Sequence, residues 1–398
     1  MRAPEPPESV VRLILATPLY RGAVLAQFLS GIGIAAAAPQ IATFLVDELG
    51  ASLTTAGLYY LTSLTAPIVG FVLGTVSDRT GSRLGLFRLA AVLGSLGWLG
   101  ISAATVWWVP FLLSALLLGF AGAASAQLFA AVHDKLAERG GPVDDVTALV
   151  RMALTAGWVV GPTMGALLAS YVGLRATFVA TAVCILAQIV PMGLMRVTRR
   201  RVTTGVPLAR IPFRSMLPLL GFIGLFILVY AGEPARYAYL PIHMRENLHA
   251  SPAVIGAVIG LQPLMQLPLM AFIVRIGRRV GWFRALGVGA ACGMTAYLLF
   301  ALSPTVVGLF IGQALMGVMW ATYATIGLIL AQRLLPTAVA TASGMFLSAT
   351  PVAQAVGGFV VGTTAGVVGL PMAFFAPVLM CLFGGIGLVL MGRRYPSL

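Results

Sequence analysis

Long apolar runs that recur from Pro18 to Met391 constrain the fold of this sequence more than any other feature. Each run is long enough to cross a bilayer as a helix, and none has the alternating pattern of outer-membrane barrel strands. Hydrophobic residues make up 59% of the 398 residues and charged residues only 9%, whereas soluble domains carry about 25% charged residues. We therefore predict an all-α membrane protein.

The boundaries of twelve transmembrane helices are marked by acids, arginine clusters, Pro and Gly. The predicted spans are residues 19–46, 54–77, 84–104, 107–133, 146–170, 174–195, 215–243, 252–274, 283–302, 305–331, 338–364 and 370–391.

The basic residues predict the orientation of these helices. With the N-terminus in the cytoplasm, Arg175 and Arg245 fall in outside loops and Arg151 and Arg236 fall in helix interiors. The other 21 of the 25 Lys and Arg residues fall in inside segments, which include the inside ends of helices. This distribution follows the positive-inside rule. It predicts a plasma-membrane protein with both termini in the cytoplasm. It also makes the lipid bilayer, and not nucleic acid, the partner of the net charge of +14.

The two halves of the sequence repeat at a nearly constant offset. Residues 49–52 (LGAS) are echoed by residues 248–251 (LHAS), an offset of 199, and Gly81 matches Gly281 at 200. A Gly-xxx-Gly pair at Gly161 matches another at an offset of 197. Two six-helix pseudo-repeats in parallel form a transporter architecture, with the substrate site near the midplane between them.

The domain prediction follows from this repeat. The N-terminal six-helix half covers residues 1–195, a basic cytoplasmic linker covers 196–214, and the C-terminal six-helix half covers 215–398.

One acidic residue lies inside a predicted span. Of the 11 Asp and Glu residues, only Glu233 does so, in the sequence Glu233-Pro234-Ala235-Arg236. Placing a charge at membrane depth costs at least about 2.5–3.5 kcal/mol. Arg236 is three residues away and can pair with it on one helix face. Apolar surroundings favour a protonated carboxyl, and a nearby cation favours the charged form. We interpret the pair as a proton-coupling site, with a static structural ion pair as the alternative.

Segment 74–83, GTVSDRTGSR, joins predicted helices 2 and 3 on the cytoplasmic side, and Gly81 allows a tight turn there. It resembles the cytoplasmic-loop signature of the major facilitator superfamily, G-x-x-x-D-R-x-G-R-R, with Ser82 where a basic residue is usual. The resemblance implies gating roles for Gly74, Asp78, Arg79, Gly81 and Arg83. The alternative is a solvated turn.

Helix 5 contains a second segment of this kind. Gly157-xxx-Gly161-Pro162 resembles the antiporter motif of the same superfamily, which implies gating roles for these three residues. Small residues allow close helix approach and Pro bends a helix, so close packing without a transport role is the alternative.

Four scattered segments, 38–59, 127–130, 151–162 and 240–260, are similar to the sugar efflux transporter family. That resemblance implies a bacterial secondary active transporter that exports sugars or glycosides by proton antiport and alternating access. A multidrug or other small-metabolite exporter of the same fold is the alternative. The sequence has no HExxH, nucleophile elbow or P-loop, so we expect no enzyme activity, no cofactor and no metal. We expect a monomer.

A substrate site for sugars needs neutral amides that bond hydroxyl groups and aromatic rings that face C–H surfaces. The candidate substrate-binding residues are Gln127, Arg151, Trp158, Tyr237, Gln262, Gln266, Gln313, Trp320, Tyr323 and Gln354. For each amide and aromatic residue, helix packing is the alternative. For Arg151, the alternative is a side chain that snorkels to the interface.

Overall fold

The computed structural model describes residues 10–139, 143–193, 195 and 212–395. Within these ranges, twelve helices are long and apolar enough to cross a membrane, which confirms the predicted all-α architecture. They are α1 Pro18–Glu48, α2 Leu53–Thr80, α3 Arg83–Ser102, α4 Trp108–Leu136, α5 Val143–Tyr171, α6 Leu174–Met192, α7 Phe213–Glu246, α8 Pro252–Val280, α9 Trp282–Leu302, α10 Val306–Leu334, α11 Val339–Val368 and α12 Met372–Arg394. A short helix, Val10–Ala16, precedes α1. Most of the predicted linker 196–214 lies outside the described residues.

The interior is filled by aromatic and aliphatic side chains, and the perimeter is also apolar. Phe44, Phe178 and Phe300 are completely buried. In contrast, Phe71 is 76% exposed and Val367 84% exposed. Apolar residues on the outer surface are what a bilayer-facing bundle requires.

The first helix of each half is interrupted, although not at positions related by the 199-residue offset. In α1 a turn at 38–39 precedes a π-helical segment, Phe44–Glu48, and in α7 a turn at 231–232 precedes a π-helical segment, Ala235–Tyr239. A proline that lacks an N–H donor accompanies each turn. Irregular backbone at membrane depth is tolerated only where protein or an aqueous cavity surrounds it. Residues 230–244 are buried throughout, which meets this condition.

The loops that follow α1 and α7 have the same geometry. Gly50 has φ 66° and His249 has φ 48°, and both lie in the left-handed region. The following residues, Ala51 and Ala250, donate their backbone N–H groups to carbonyls six residues upstream, at 2.8 and 3.0 Å. The 199-residue sequence offset therefore reflects a repeated turn, with Gly at one copy and His at the other.

Ion pairs mark the two ends of the bundle. At the first, called the Asp47 end, Asp47 Oδ2 lies 2.7 Å from Arg245 Nη1 and joins α1 to α7. At the second, called the Asp78 end, Arg83 of α3 bonds Asp78 of α2 and Asp134 of α4.

Helices of the first six meet helices of the last six along a surface that we call the seam, where α2 packs on α11 and α5 packs on α8. Gly57 of α2 lies against Gly358 and Gly362 of α11, and Gly256 of α8 lies against Thr163 of α5. Gly57 and Gly256 are 199 residues apart, so the repeat supplies a glycine to each side of the seam.

Polar contacts also cross the seam. The Tyr239 hydroxyl donates to the Leu53 carbonyl at 2.8 Å, and the Ser63 hydroxyl donates to the Pro351 carbonyl at 2.7 Å. Together with the Asp47–Arg245 pair, these bonds hold the seam closed from the middle of the bundle to the Asp47 end.

The other glycine match in the sequence does not reflect shared packing. The Gly161-xxx-Gly165 pair of α5 packs against Ala35 and Ala36 of α1, within the first six helices. The Gly358-xxx-Gly362 pair packs across the seam against Gly57.

We expect Gly57→Leu to prevent closure of the seam, because any side chain at Gly57 overlaps the α11 backbone. Gly70→Leu on the same helix is the matched control, since an added Cβ there meets nothing within 4 Å. Oxidative cross-linking of an Asp47→Cys/Arg245→Cys pair measures closure. Its yield should fall with Gly57→Leu and stay unchanged with Gly70→Leu, and equal yields would contradict the role of this contact.

Candidate functional site

The interruption of α7 lies beside a carboxylate close to the midpoint of that helix. Glu233 follows the turn at 231–232 and is 3% exposed. It lies about one helical turn, roughly 5 Å, from the midpoint of α7. Gly232 is required beside it, because a side chain at Gly232 would overlap the Tyr297 ring.

Three donors surround the Glu233 carboxylate. Arg236 Nε donates to Oε1 at 2.9 Å, and Arg236 Nη2 donates to the same oxygen. Trp320 Nε1, from the middle of α10, donates to Oε2 at 2.6 Å. The predicted pairing of Glu233 with Arg236 is therefore present, and Trp320 joins it. Both oxygens of the Glu233 carboxylate therefore accept hydrogen bonds from charged or polar side chains.

Aromatic rings enclose the Glu233–Arg236 pair. The Tyr230 and Trp320 rings are 4.5 Å apart between centroids, and Arg236 Cζ lies 5.8 Å from the Tyr237 ring centroid. Within the described residues, Arg236 Nη1 and the Tyr297 hydroxyl are buried without a hydrogen-bond partner. An unsatisfied buried donor costs free energy, so Arg236 retains the capacity to bond a further acceptor.

A cavity of about 210 Å³ lies beside this pair. Most of its wall comes from α1, α2 and α4, and Tyr237 of α7 and Gln354 of α11 complete it from across the seam. The structure thus brings Tyr237 and Gln354 together, as two of the predicted substrate-binding residues.

The remaining predicted amides lie elsewhere. Gln262 donates to Gln266 at 2.9 Å along α8, and Gln266 contacts Met270 Sδ at 3.8 Å. Gln313 is completely buried with both amide atoms unpartnered, and Gln127 is buried with Oε1 unpartnered, among the residues described. These amides do not line the 210 Å³ cavity, so a role for them in binding stays a prediction.

Three other predicted residues have distinct surroundings. Arg151 is exposed on α5, and Trp158, seven residues further along the same helix, is half-buried. The Tyr323 hydroxyl donates to the Leu286 carbonyl at 3.1 Å, which ties α10 to α9 and favours packing for this residue.

The segment that resembles the loop signature is mostly helical. α2 continues to Thr80, so Gly74, Asp78 and Arg79 lie within the helix instead of in a joining loop. Gly81 ends it with φ 68° and donates its N–H to the Ser77 carbonyl at 2.8 Å. Glycine adopts this left-handed backbone conformation without the steric cost that a side chain would bring.

Arg83 is the centre of this segment. Its guanidinium donates to Ser77 Oγ at 2.8 Å, to Asp78 Oδ1 at 2.8 Å and to Asp134 Oδ2 at 3.0 Å. The three bonds join α2, α3 and α4 at the Asp78 end. Asp134 was not predicted from the sequence, because nothing local links it to a residue 51 positions earlier.

The helix 5 motif packs on two neighbours. Gly157 lies against the backbone of Gly31 and Ile32, and Gly161 lies against Ala35, all in α1. The Pro162 carbonyl lies on the opposite side, near Gly256 of α8. Close packing is therefore observed, and a gating role stays a prediction.

Sequence reasoning missed Tyr60, Tyr297 and Ser63. Tyr60 lines the cavity and packs edge-on to Tyr237 at 6.0 Å. The consecutive tyrosines at Tyr59 and Tyr60, near the start of an apolar helix, were the available signal. In the described part of the chain, no cluster of three or more His, Cys, Asp or Glu side chains could hold a metal ion.

Comparisons with known proteins agree with this architecture. The sequence model described as Major Facilitator Superfamily matches residues 23–232, more than half of the chain. A Deinococcus radiodurans protein, provisionally named a sugar efflux transporter, is 25% identical over 388 residues, covering 96% of this chain and 100% of that protein. Sugar efflux transporter A of Dickeya chrysanthemi is 24% identical, with 85% of this chain and 87% of that protein covered.

Solved structures share the fold. A variant of the nucleoside transporter NupG superposes with a TM-score of 0.83 at 14% identity, covering 94% of this chain and 99% of that chain. A bacterial homologue of the lysosomal transporter Spinster, in an inward-facing and unoccupied conformation, superposes with a TM-score of 0.74 at 14% identity, covering 95% and 97%.

We expect Arg83→Lys to destabilise the protein, since Lys cannot reproduce three directed bonds from one planar group. Each hydrogen bond to a charged group is worth about 1.5–3 kcal/mol. Arg79→Lys is the matched control, because Arg79 is exposed four residues away. Thermal unfolding in detergent should show a clear loss for Arg83→Lys only, and equal midpoints would show that the cluster contributes little.

Proposed function

Because this chain belongs to the major facilitator superfamily and resembles the sugar efflux transporters within it, we propose that it exports sugars or glycosides in exchange for protons. The family and its relatives are transporters, and twelve apolar helices make this a multi-pass membrane protein. Export by proton antiport is the finer proposal. It would take place in the bacterial plasma membrane, by a monomer.

The observation that carries the proposal is the buried Glu233 carboxylate, held by Arg236 and Trp320 close to the midpoint of α7. Ionisable residues in such positions mark ion or substrate pathways. A carboxyl that can exchange a proton for a cationic partner provides a coupling site without a cofactor. In this proposal Glu233 carries the proton. When Glu233 is not protonated, its carboxylate pairs with Arg236 instead.

Protonation and pairing exclude one another at this site. Loss of the carboxylate charge would leave Arg236 buried without its counter-ion, and breaking a buried pair costs about 3–5 kcal/mol. Proton uptake by Glu233 therefore favours an arrangement in which Arg236 meets a different acceptor. The free Arg236 Nη1 is the group that would bond it. The free-energy cost of leaving Arg236 unpaired therefore couples proton binding at Glu233 to the movement of Arg236 toward another acceptor.

Alternating access would use the seam and the Asp78 cluster. We assign the Asp78 end to the cytoplasm from the positive-inside distribution. The seam at the Asp47 end then closes the external side, and helices 1–6 (residues 1–195) would move against helices 7–12 (residues 215–398) about the linker 196–214. Arg83, with Asp78 and Asp134, would keep α2, α3 and α4 moving as one body.

A reconstituted vesicle assay tests the function. Purified protein in liposomes with an imposed pH gradient is given labelled glucosides and lactose, beside a lipophilic cationic dye. Gradient-driven movement of a neutral sugar supports the proposal. Movement of the dye alone would favour a multidrug exporter, and uphill sugar movement after collapse of the gradient, without sodium, would remove proton coupling.

Glu233→Gln is the direct test of the coupling site, since the amide resembles a protonated carboxyl. We expect gradient-driven export to fall to background, while sugar exchange without a gradient persists. The double variant Glu233→Gln/Arg236→Met removes the uncompensated guanidinium and controls for misfolding. Normal gradient-driven export by Glu233→Gln would place the coupling site elsewhere.

Trp320→Phe should destabilise the packing around Glu233. The variant keeps an aromatic ring beside Tyr230 but removes the donor to Glu233 Oε2. A hydrogen bond to a charged group is worth about 1.5–3 kcal/mol, so the unfolding midpoint in detergent should fall. Trp108→Phe is the control, because the Trp108 side chain at the start of α4 is 52% exposed, and equal midpoints for both variants would show that the bond to Glu233 contributes little.

A further inference from the structure

We propose that the 210 Å³ cavity beside Tyr237 is a subsite for a single neutral sugar ring, held by Tyr60 and Gln354. The inference rests on the proposed function and names the part of the site that would recognise the sugar. Four features of the cavity support it: its walls, its polar groups, its charge and its size.

Aromatic rings form the walls. Tyr59 and Tyr60 pack edge to face, with centroids 5.6 Å apart and planes at 87°. Tyr60 in turn packs at 65° to Tyr237, 6.0 Å away across the seam. Rings set at steep angles leave faces turned in different directions, and such faces suit the apolar C–H surfaces of a pyranose.

Two polar side chains in the wall are suited to bind a ligand. Within the described residues, the Tyr60 hydroxyl is buried without a hydrogen-bond partner, and the half-buried Gln354 amide lines the cavity. In contrast, the Ser63 hydroxyl already bonds the Pro351 carbonyl. An amide both donates and accepts, as a phenolic hydroxyl does, and together they match the mixed donor and acceptor character of sugar hydroxyls.

Charge and size narrow the ligand further. Among the described residues that line the cavity, none is charged. A neutral wall offers no counter-ion to a uronic acid or a cationic drug, whose burial would be costly. Pockets for drug-sized ligands begin at about 300 Å³, so a cavity of about 210 Å³ accepts one ring and leaves any aglycone outside.

Tyr237 connects this subsite to the ion pair. Its ring forms part of the cavity wall, and Arg236 Cζ lies 5.8 Å from the centroid of the same ring. A sugar in the cavity therefore touches the residue that borders Arg236. Tyr237 would therefore contact both a bound sugar and Arg236, and could couple sugar binding to the pairing of Arg236.

The test measures binding without a pH gradient, so it is independent of proton coupling. Trp98 lines the cavity and is 7% exposed, and its fluorescence, taken as the difference from Trp98→Phe, reports occupancy. The probes are methyl glucoside, lactose and glucuronate. We expect the wild-type protein to bind the two neutral sugars and to reject glucuronate.

Tyr60→Phe and Gln354→Leu should each weaken binding of methyl glucoside about tenfold, the scale of one buried hydrogen bond. Gln188→Leu is the matched control, because Gln188 is buried and unpartnered but does not line the cavity. All variants should keep the wild-type unfolding midpoint. Unchanged affinity in both variants, or equal binding of glucuronate, overturns the subsite.

The outcomes separate this proposal from the proposed function. Gradient-driven sugar export that depends on Glu233, combined with unaffected Tyr60→Phe and Gln354→Leu variants, rejects the subsite and leaves the function standing. Weakened sugar binding in these variants without any gradient-driven export supports the subsite and rejects proton coupling.

Discussion

The ion pair between Glu233 and Arg236 imposes more on this structure than any other interaction. A buried charge needs donors, and side chains supply all three of them here: two come from Arg236, one turn further along α7, and the third comes from Trp320 of α10. The rings of Tyr230, Tyr237 and Trp320 then enclose the pair. The small residue at Gly232 is part of the same arrangement, because it leaves room for the Tyr297 ring. Packing in this half is thus organised around a polar centre.

The two halves share backbone features but differ in chemistry. α1 and α7 are each interrupted by a turn and a π-helical segment, at places that the 199-residue offset does not relate, and each is followed by the same left-handed turn. Gln40 follows the interruption of α1, whereas a charged pair follows that of α7. The cavity belongs mostly to the other half, since α1, α2 and α4 form most of its wall. One half therefore carries the ionisable groups and the other carries most of the neutral cavity. Tyr237 and Gln354 are the points where the two meet.

The sequence predicted the features that depend on residues near each other in the chain. These are the twelve spans and the pairing of two residues that are three apart on α7. The bond from Trp320 to Glu233 joins residues 87 apart, and that of Arg83 to Asp134 joins residues 51 apart. Helix packing creates these contacts, and residue type alone gives no partner. For the same reason, the predicted amides could be identified individually but not sorted into those that line the cavity and those that do not.

The seam described above has a consequence for the populations of states. Its glycine contacts bring backbone against backbone, so few side chains interlock at those points. The polar contacts across it join Tyr239 with Leu53, Ser63 with Pro351 and Asp47 with Arg245. A hydrogen bond of this kind is worth about 0.5–1.5 kcal/mol, and a part-exposed ion pair about 0–1 kcal/mol. Contacts this weak are within reach of the binding energy of one small solute, so a solute that binds one conformation better than the other can shift their populations.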